Sequence, residues 1–181
     1  MRIIAGTLKG RRLNPPANLP VRPTTDMARE GLFNILNNYV EFADCSVLDL
    51  FAGTGAVSLE FLSRGAREVT SVDIDAKCTD YIKAEVARLG VVGMRVVRAD
   101  VFDLLKRANR KFDLVFADPP YALERLPQLP TLVMESGLVA EGGILVVEHP
   151  HEYSFEDLPH FWQQRAYGKV NFSFFAMELN N

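Results

Sequence analysis

The feature that most constrains the fold is a regular alternation of short apolar runs with helical patterns, which begins at Ser46. Runs such as VLDLF, LVFA and ILVV are apolar without alternation, which is typical of strands covered on both faces. Strands that alternate with helices predict an α/β fold with a doubly wound parallel sheet. We predict five strands at residues 46–51, 68–73, 94–99, 112–117 and 143–148, and four helices near 56–64, 76–89, 101–107 and 130–136.

The two ends of the chain depart from this alternation. Residues 161–167 and 171–178, joined through Gly168, predict a closing antiparallel hairpin, which brings the sheet to seven strands. Residues 2–13 predict a small N-terminal β-hairpin, and the proline-rich stretch 15–23 predicts a connector. We therefore divide the chain into a hairpin and connector at 1–22 and a main domain at 23–181.

A helix is predicted directly after the connector. Thr24, Thr25 and Asp26 are candidate N-caps. Its apolar positions are Met27, Leu32, Phe33 and Leu36. Further along the chain, Gly65 and Gly90 are placed to end the second and third helices.

Composition excludes several classes of protein. Hydrophobic residues make up 48% and charged residues 24%, the balance of a folded soluble protein. No apolar run reaches the roughly 18 residues of a membrane helix, and the first residues lack the apolar region of a secretory signal. Cys45 and Cys78 have no metal-ligand spacing. We expect a cytoplasmic protein with no metal site and no membrane association.

A glycine loop is the first motif that indicates a ligand. Asp49-Leu-Phe-Ala-Gly53-Thr-Gly55 lies between the first predicted strand and a helix, where glycines let the backbone turn and approach a ligand. Asp73 ends the next strand and is placed to accept hydrogen bonds from ribose hydroxyls. The two features together predict an adenosine-type ligand across the carboxyl ends of the strands.

The charge around the loop favours one class of ligand. A pyrophosphate binds backbone amides at a helix N-terminus, and the Asp49 carboxylate would repel it. The third glycine of the dinucleotide fingerprint is also replaced, by Ser58. An ammonium or sulfonium would instead be attracted, and S-adenosylmethionine carries both. The alternative is that Asp49 is a buried acid satisfied by loop amides.

Asp118-Pro119-Pro120-Tyr121 follows the strand at 112–117. In a doubly wound sheet whose order reverses after strand one, this motif lies beside the glycine loop. The Asp118 carboxylate and the Pro119 carbonyl can accept from one NH2 group, which would hold its hydrogens out of plane and aim the nitrogen lone pair at a methyl group. Tyr121 offers a flat face for a flipped base. The alternative is a rigid turn.

These motifs carry a resemblance to a known family. VLDLFAGTG and DPPY resemble motifs I and IV of Rossmann-like class I S-adenosylmethionine-dependent amino-methyltransferases. RPTTDMAREGLFNIL, which starts at Arg22, and the opening RIIAGTLKGRRL resemble the N-terminal part of bacterial 16S ribosomal RNA guanine-N2 methyltransferases, which modify the guanine conventionally numbered 966. The resemblance implies methyl transfer to guanine N2 in the small ribosomal subunit or its assembly intermediate.

The resemblance also implies roles for individual residues. The catalytic set would be Asp118, Pro119, Pro120 and Tyr121. The cofactor set would be Asp49, Phe51, Gly53 and Gly55 at the methionine moiety, Asp73 at the ribose, and Ile74, Asp100 and Val101 around the adenine. For Asp100, a helix N-cap is an equal alternative, and the two roles can coexist.

The N-terminal arm, residues 1–30, is a candidate RNA contact. It carries six basic and two acidic residues, a net charge of +4, whereas the remaining residues carry −7. Such an asymmetry fits an anionic partner such as a phosphate backbone, although a solvated arm is the alternative. The candidate RNA-binding residues are Arg2, Lys9, Arg11, Arg12, Arg22 and Arg29.

Three rival functions remain open at this stage. An N6-adenine methyltransferase on RNA or DNA shares DPPY, so the motif defines the reaction type better than the base. An NAD-dependent dehydrogenase is disfavoured by Asp49 and Ser58. A non-catalytic RNA-binding module would need neither motif. At the end of the last parallel strand, Glu148 and His149 either line the base pocket or, as the simpler interpretation, are ordinary surface residues.

Overall fold

The computed structural model describes residues 1–22 and 24–178. Pro23 and residues 179–181, which fall in the predicted connector and main domain, lie outside the described residues. The helices are α1 (Asp26–Leu36), α2 (Ala56–Ser63), α3 (Ala76–Leu89), α4 (Val101–Lys106) and α5 (Leu129–Glu135). The strands are β1 (Ser46–Leu50), β2 (Glu68–Asp73), β3 (Met94–Arg98), β4 (Phe112–Ala117), β5 (Val139–His149), β6 (Phe161–Tyr167) and β7 (Val170–Ala176).

The strands form one sheet in the order β3-β2-β1-β4-β5-β7-β6. Strands β1 to β5 pair in parallel, and β7 pairs antiparallel with both β5 and β6. The predicted doubly wound sheet and its closing antiparallel hairpin are confirmed. Because β1 lies between β2 and β4, the strand order reverses at β1, and the loops after β1 and β4 meet at one edge.

Apolar side chains cover both faces of the sheet, which explains the runs without alternation. On β4, Leu114 and Phe116 belong to a core under α1 and α2, whereas Val115 and Ala117 belong to a core under α4 and α5. Successive residues of a strand point to opposite faces, so both faces of β4 are buried. This packing fixes the positions at which the strands end.

Two details differ from the sequence prediction. Strand β5 begins at Val139 rather than at residue 143, because the chain continues as a strand through Gly142 at a φ of +75°. In α1, Thr25 is the N-cap as predicted, but Met27 is 60% exposed. At 100° per residue Met27 lies about 180° around the helix from Leu36, so it faces away from the core.

The N-terminal hairpin packs on α2. Arg2 and Arg12 pair antiparallel, and Ile3 and Leu13 are buried against Leu59. At its turn, Gly6 has a φ of +86°, and a Cβ there would lie 1.9 Å from the carbonyl oxygen of Ser63. The hairpin turn therefore needs a glycine both for its backbone angle and for the close approach.

A buried carboxylate joins the hairpin to the main domain. Glu60 accepts from the backbone N–H groups of Ile4 and Ala5 at 2.9 and 3.1 Å. The same carboxylate pairs with Arg29 at 3.2 Å and with Arg64 at 2.8 Å. These donors compensate the cost of burying the charge.

Within the described ranges, 1–22 and 24–178, no helix is long and apolar enough to cross a membrane.

Candidate active site at the carboxyl ends of the strands

A cleft with a volume of about 640 Å³ lies where the segments after β1, β2, β3 and β4 meet. Its described lining residues include five carboxylates and one guanidinium, that of Arg22. The acids are Asp49, Asp73, Asp75, Asp100 and Asp118. A cleft of this charge attracts cationic ligands and repels a pyrophosphate.

Asp49 is buried at the end of β1. Its side chain accepts a hydrogen bond from Ser58 Oγ at 2.5 Å, and Ser58 Oγ lies 2.5 Å from Ser71 Oγ. Burial raises the pKa of Asp49 to about 7; the charge of Asp73 also raises it, whereas the Ser58 hydrogen bond lowers it. Asp49 is therefore a buried acid that lacks a cationic partner among the described residues, and it is satisfied by the hydroxyl and the backbone N–H of Ser58, the first of which the sequence alternative of loop amides did not include.

The glycine loop has the left-handed backbone that its sequence predicts. Phe51, Gly53 and Gly55 have φ values of +59°, +58° and +77°. A Cβ on Gly55 would lie 2.9 Å from Ile82, so a larger residue would collide with α3. Phe51 adopts the same backbone region without being glycine, which costs about 1–2 kcal/mol and places its ring at the cleft.

Four predicted adenosine-side residues line the same cleft: Asp73, Ile74, Asp100 and Val101. Asp73 accepts from the backbone N–H groups of Gly53 and Asp75, at 2.9 Å each. Asp100 is the N-cap of α4 and accepts from Phe102 N at 2.8 Å. The predicted N-cap role of Asp100 is thus present. It is compatible with an additional contact to the adenine, because each carboxylate oxygen has two lone pairs.

Asp118 lies beside a second acid, Glu148. The Oγ1 atom of Thr24 lies 3.2 Å from an oxygen of each acid. Arg22 Nη2 lies 3.1 Å from Glu148 Oε2 and 3.9 Å from Asp118 Oδ1. Burial raises the pKa of Asp118 well above its usual range and Glu148 raises it further, whereas Arg22 and Thr24 lower it. The positive charge of Arg22 thus offsets the negative charge of two neighbouring acids, Asp118 and Glu148.

The ring of Tyr121 is covered on one face by the same arginine. Arg22 Cζ lies 3.9 Å from the ring centroid, within the range of a cation–π contact. The Tyr121 hydroxyl is buried; burial raises its pKa, whereas the neighbouring Arg22 guanidinium lowers it. The face predicted to stack on a base is therefore occupied by the arginine.

The structure corrects the interpretation of the β5 end. Glu148 and His149 are fully buried, so they are not ordinary surface residues. His149 contacts the Pro150 carbonyl at 2.8 Å and Ser173 Oγ at 2.7 Å, and burial lowers its pKa. His149 is thus held within the sheet, whereas Glu148 faces Asp118. The register of β5 beside β4 was the signal that could have placed Glu148 at the site.

The six arginine and lysine candidates of the N-terminal arm do not share one environment. Arg2, Lys9, Arg11 and Arg12 are exposed on the hairpin. Arg22 reaches the acids of the cleft. Arg29 is fully buried and bonds Glu60, Asp26 and the Arg2 carbonyl. This burial contradicts the predicted RNA contact of Arg29, whose charge is used inside the protein.

Comparison with known proteins agrees with this geometry. The model of the family described as "Conserved hypothetical protein 95" matches residues 1–176. The chain belongs to this family. The family match covers the hairpin, the glycine loop, DPPY and both closing strands, and therefore nearly every element described above.

Several of the similar proteins carry the name of a ribosomal RNA methyltransferase. The Escherichia coli (strain K12) "Ribosomal RNA small subunit methyltransferase D" is 33% identical over 98% of this chain and 90% of its own length. The Haemophilus influenzae protein of the same name is 34% identical over 82% of this chain and 78% of its own length. A solved structure from Thermus thermophilus is 33% identical, with a TM-score of 0.84 and 99% coverage of both chains. The resemblance drawn from the sequence motifs is confirmed.

Proposed function

We propose that this protein transfers a methyl group from S-adenosylmethionine to the exocyclic N2 of a guanine in 16S ribosomal RNA. The observation that carries the proposal is the arrangement of Asp118 and its following prolines beside an acidic cleft at the switch point of the sheet. The names of the Escherichia coli and Haemophilus influenzae relatives support the choice of small-subunit ribosomal RNA.

The residues of the cleft fit S-adenosylmethionine. Asp49 is a buried acid with no cationic partner among the described residues, and it would receive the ammonium or sulfonium. The loop from Phe51 to Gly55 would wall the methionine moiety, and Asp73 would accept from the ribose hydroxyls. When bound there, S-adenosylmethionine supplies an electrophilic methyl group. A dinucleotide fits poorly, because its pyrophosphate would lie at the glycine loop, where the Asp73 carboxylate already accepts from the Gly53 N–H.

On the other side of the cleft, the DPPY residues would hold the target amine. An exocyclic amine of a base is a poor nucleophile, because its lone pair is delocalised into the ring. The Asp118 carboxylate and the Pro119 carbonyl would accept its two hydrogens and direct the lone pair into the cleft. Asp118 is fixed for this by its backbone N–H, which donates to the Leu50 carbonyl at 3.4 Å and so joins the ends of β4 and β1. Proximity and fixed dipoles supply most of the catalysis.

The hairpin would supply the RNA contact. Arg2, Lys9, Arg11 and Arg12 are exposed on one small element, where they can neutralise phosphates without disturbing the core. The substrate would be the assembled small subunit or an assembly intermediate. Its target base must leave the stack to reach Asp118, whose side chain is only 17% exposed.

The test combines a product map with an active-site variant. The purified protein is incubated with labelled S-adenosylmethionine and with small subunits that lack the modification, and the methylated nucleotide is mapped. Asp118→Ala is then expected to lower the single-turnover rate by about 10²–10³-fold. Its melting temperature should not fall, because the substitution removes one of two adjacent buried acids.

The control separates chemistry from backbone rigidity. If DPPY acts only as a rigid turn, Pro120→Ala should be the damaging change and Asp118→Ala should be tolerated. A well-folded Asp118→Ala protein with near-normal methyl transfer, or labelling at a base other than guanine, would count against the proposal.

A further inference from the structure

Arg22 fills the space in which the proposed function places the target base. Its planar guanidinium lies on the Tyr121 ring, with 3.9 Å between Cζ and the ring centroid. Its Nη2 donates to Glu148 at 3.1 Å and approaches Asp118 at 3.9 Å. A flipped base would need the same three contacts: a stacking face, an acceptor for its amine and an acceptor for its ring edge. We call Asp118, Tyr121 and Glu148 the base site.

A guanidinium is a chemical fragment of guanine. Atoms N1, C2 and N2 of guanine form a planar unit whose nitrogens present N–H donors in the same plane, as the guanidinium of Arg22 does. Adenine differs at one decisive atom. Its exocyclic N6 is flanked by ring atom N1, which carries a lone pair and no hydrogen. An acceptor placed beside the amine therefore attracts guanine and repels adenine.

Resting on the proposed function, we propose that Glu148 is the residue that selects guanine, by accepting the N1–H of the flipped base. DPPY, which the sequence leaves compatible with guanine or adenine, would hold the amine, and Glu148 would read the neighbouring ring nitrogen. The sheet explains why the two acids are neighbours. Ala117 of β4 pairs with Val147 of β5, so Asp118, which directly follows β4, lies beside Glu148.

The mobility expected of the two partners fits these roles. The Glu148 side chain is fully buried, so its direction is fixed by the protein. The Arg22 side chain is 53% exposed and lies in the connector, outside any helix or strand. The arginine can leave while the acid stays. The N1–H of an arriving guanine would replace the hydrogen bond that Arg22 Nη2 donates to Glu148, so Glu148 does not become a buried acceptor without that donor.

The test changes the base at N1 and the side chain at position 148, the two partners of the proposed hydrogen bond. Small subunits are reconstituted with guanine or 2-aminopurine at the methylated position; 2-aminopurine keeps the amine but has no hydrogen on N1. The wild type is expected to disfavour 2-aminopurine by about 10²-fold or more in kcat/KM, because Glu148 then faces a lone pair. In Glu148→Gln, whose amide can donate as well as accept, the preference should shrink to about 10-fold or less.

The loss of O6 in 2-aminopurine affects both proteins alike, so the ratio of the two preferences isolates the contact at N1. An equal preference in wild type and Glu148→Gln overturns the proposal. Failure of the proposed function looks different: the wild type would then methylate neither substrate, or would label another base.

A second measurement does not depend on an active Glu148 variant. In Arg22→Ala the base site has lost its guanidinium, and free guanidinium ions at millimolar concentration should bind there between Tyr121 and Glu148. We expect a specific rise in melting temperature in guanidinium chloride over equal sodium chloride in Arg22→Ala, and none in Arg22→Ala combined with Glu148→Gln. The same response in both proteins would contradict an acceptor role for Glu148.

Discussion

Asp49 predicts that cofactor affinity depends on pH in a defined direction. Burial raises its pKa to about 7 in the free protein, from an ordinary value of 3.8. Below about pH 7 the carboxyl is therefore mostly protonated, whereas a bound ammonium or sulfonium favours the ionised form. Binding must then release a proton, and the affinity for S-adenosylmethionine should fall as the pH is lowered.

The magnitude follows from linkage. Each pH unit below the pKa costs about 1.4 kcal/mol, or about tenfold in affinity. Between about pH 7, where half of the carboxyl is already protonated, and pH 5 the dissociation constant should therefore rise by up to about 50-fold, unless the pKa in the complex is reached first. Asp49→Asn keeps the acceptor for Ser58 Oγ and removes the proton, so its weaker affinity should be flat over this range.

The free energy of unfolding of the free protein should also depend on pH, because folding raises the pKa of Asp49. The pKa of Asp49 is raised on folding, so its favourable contribution is present below the unfolded value of 3.8 and is lost as the pH rises to about 7. Asp49→Asn should thus be more stable than the wild type above pH 7, by up to about 4 kcal/mol, and the gain should vanish near pH 4.

Titration calorimetry in buffers of different ionisation enthalpy measures both the affinity and the protons released. Near pH 6 the wild type should release close to one proton per cofactor and Asp49→Asn none. A wild-type affinity that stays constant from pH 5 to 7, or equal proton release in both proteins, would refute the reasoning.

Three further outcomes are expected. Replacing Arg11 and Arg12 with Ala should weaken binding to small subunits and make that binding less dependent on salt, while cofactor affinity stays unchanged. Filter binding at several salt concentrations measures this dependence, and an unchanged dependence would contradict an RNA-binding role for the N-terminal arm. In urea melts, Gly6→Ala should lower the free energy of unfolding by about 2 kcal/mol more than Gly10→Ala does. Both glycines have a positive φ, but only a Cβ at Gly6 meets a backbone carbonyl. Equal losses in the two variants would contradict a steric requirement for glycine at position 6. Tyr121→Ala should weaken productive RNA binding by roughly 1–3 kcal/mol, whereas Tyr121→Phe should keep most turnover, because stacking uses the ring face and not the hydroxyl. A large loss in Tyr121→Phe would contradict a stacking role.

The sheet was predictable from the sequence because its signal is local. Apolar runs without alternation predict strands covered on both faces, and helical spacing between them predicts the crossovers. The start of β5 was not predicted because Gly142 and Gly143 have the composition of a turn, and Gly142 does adopt a left-handed φ of +75° within the strand. Backbone hydrogen bonds of Gly142 and Gly143 with Met177, at 2.9 Å each, continue the pairing beyond Ile144 and override the local preference.

The site was predictable as far as it depends on strand ends. Asp49, Asp73 and Asp118 line one cleft because parallel strands end at one edge. The partners of charged side chains were not predictable in this way. Arg22 and Arg29 have the same charge and lie seven positions apart, but one reaches the acids of the cleft and the other is buried against Glu60. Only the tertiary contacts distinguish them.

The short helix α2 has a consequence for how such proteins can diverge. Its N-cap is Gly55 of the glycine loop, it ends at Ser63 against the hairpin turn, and it holds Glu60 between them. Eight residues span only about 12 Å, so the two ends form one unit. A chimera that joins the arm of one relative to the body of another would bring an unmatched backbone against Glu60 and shift the start of the glycine loop. The hairpin and α2 have to be inherited together, and changes in RNA preference are expected to arise from exposed side chains of the hairpin while its backbone stays fixed.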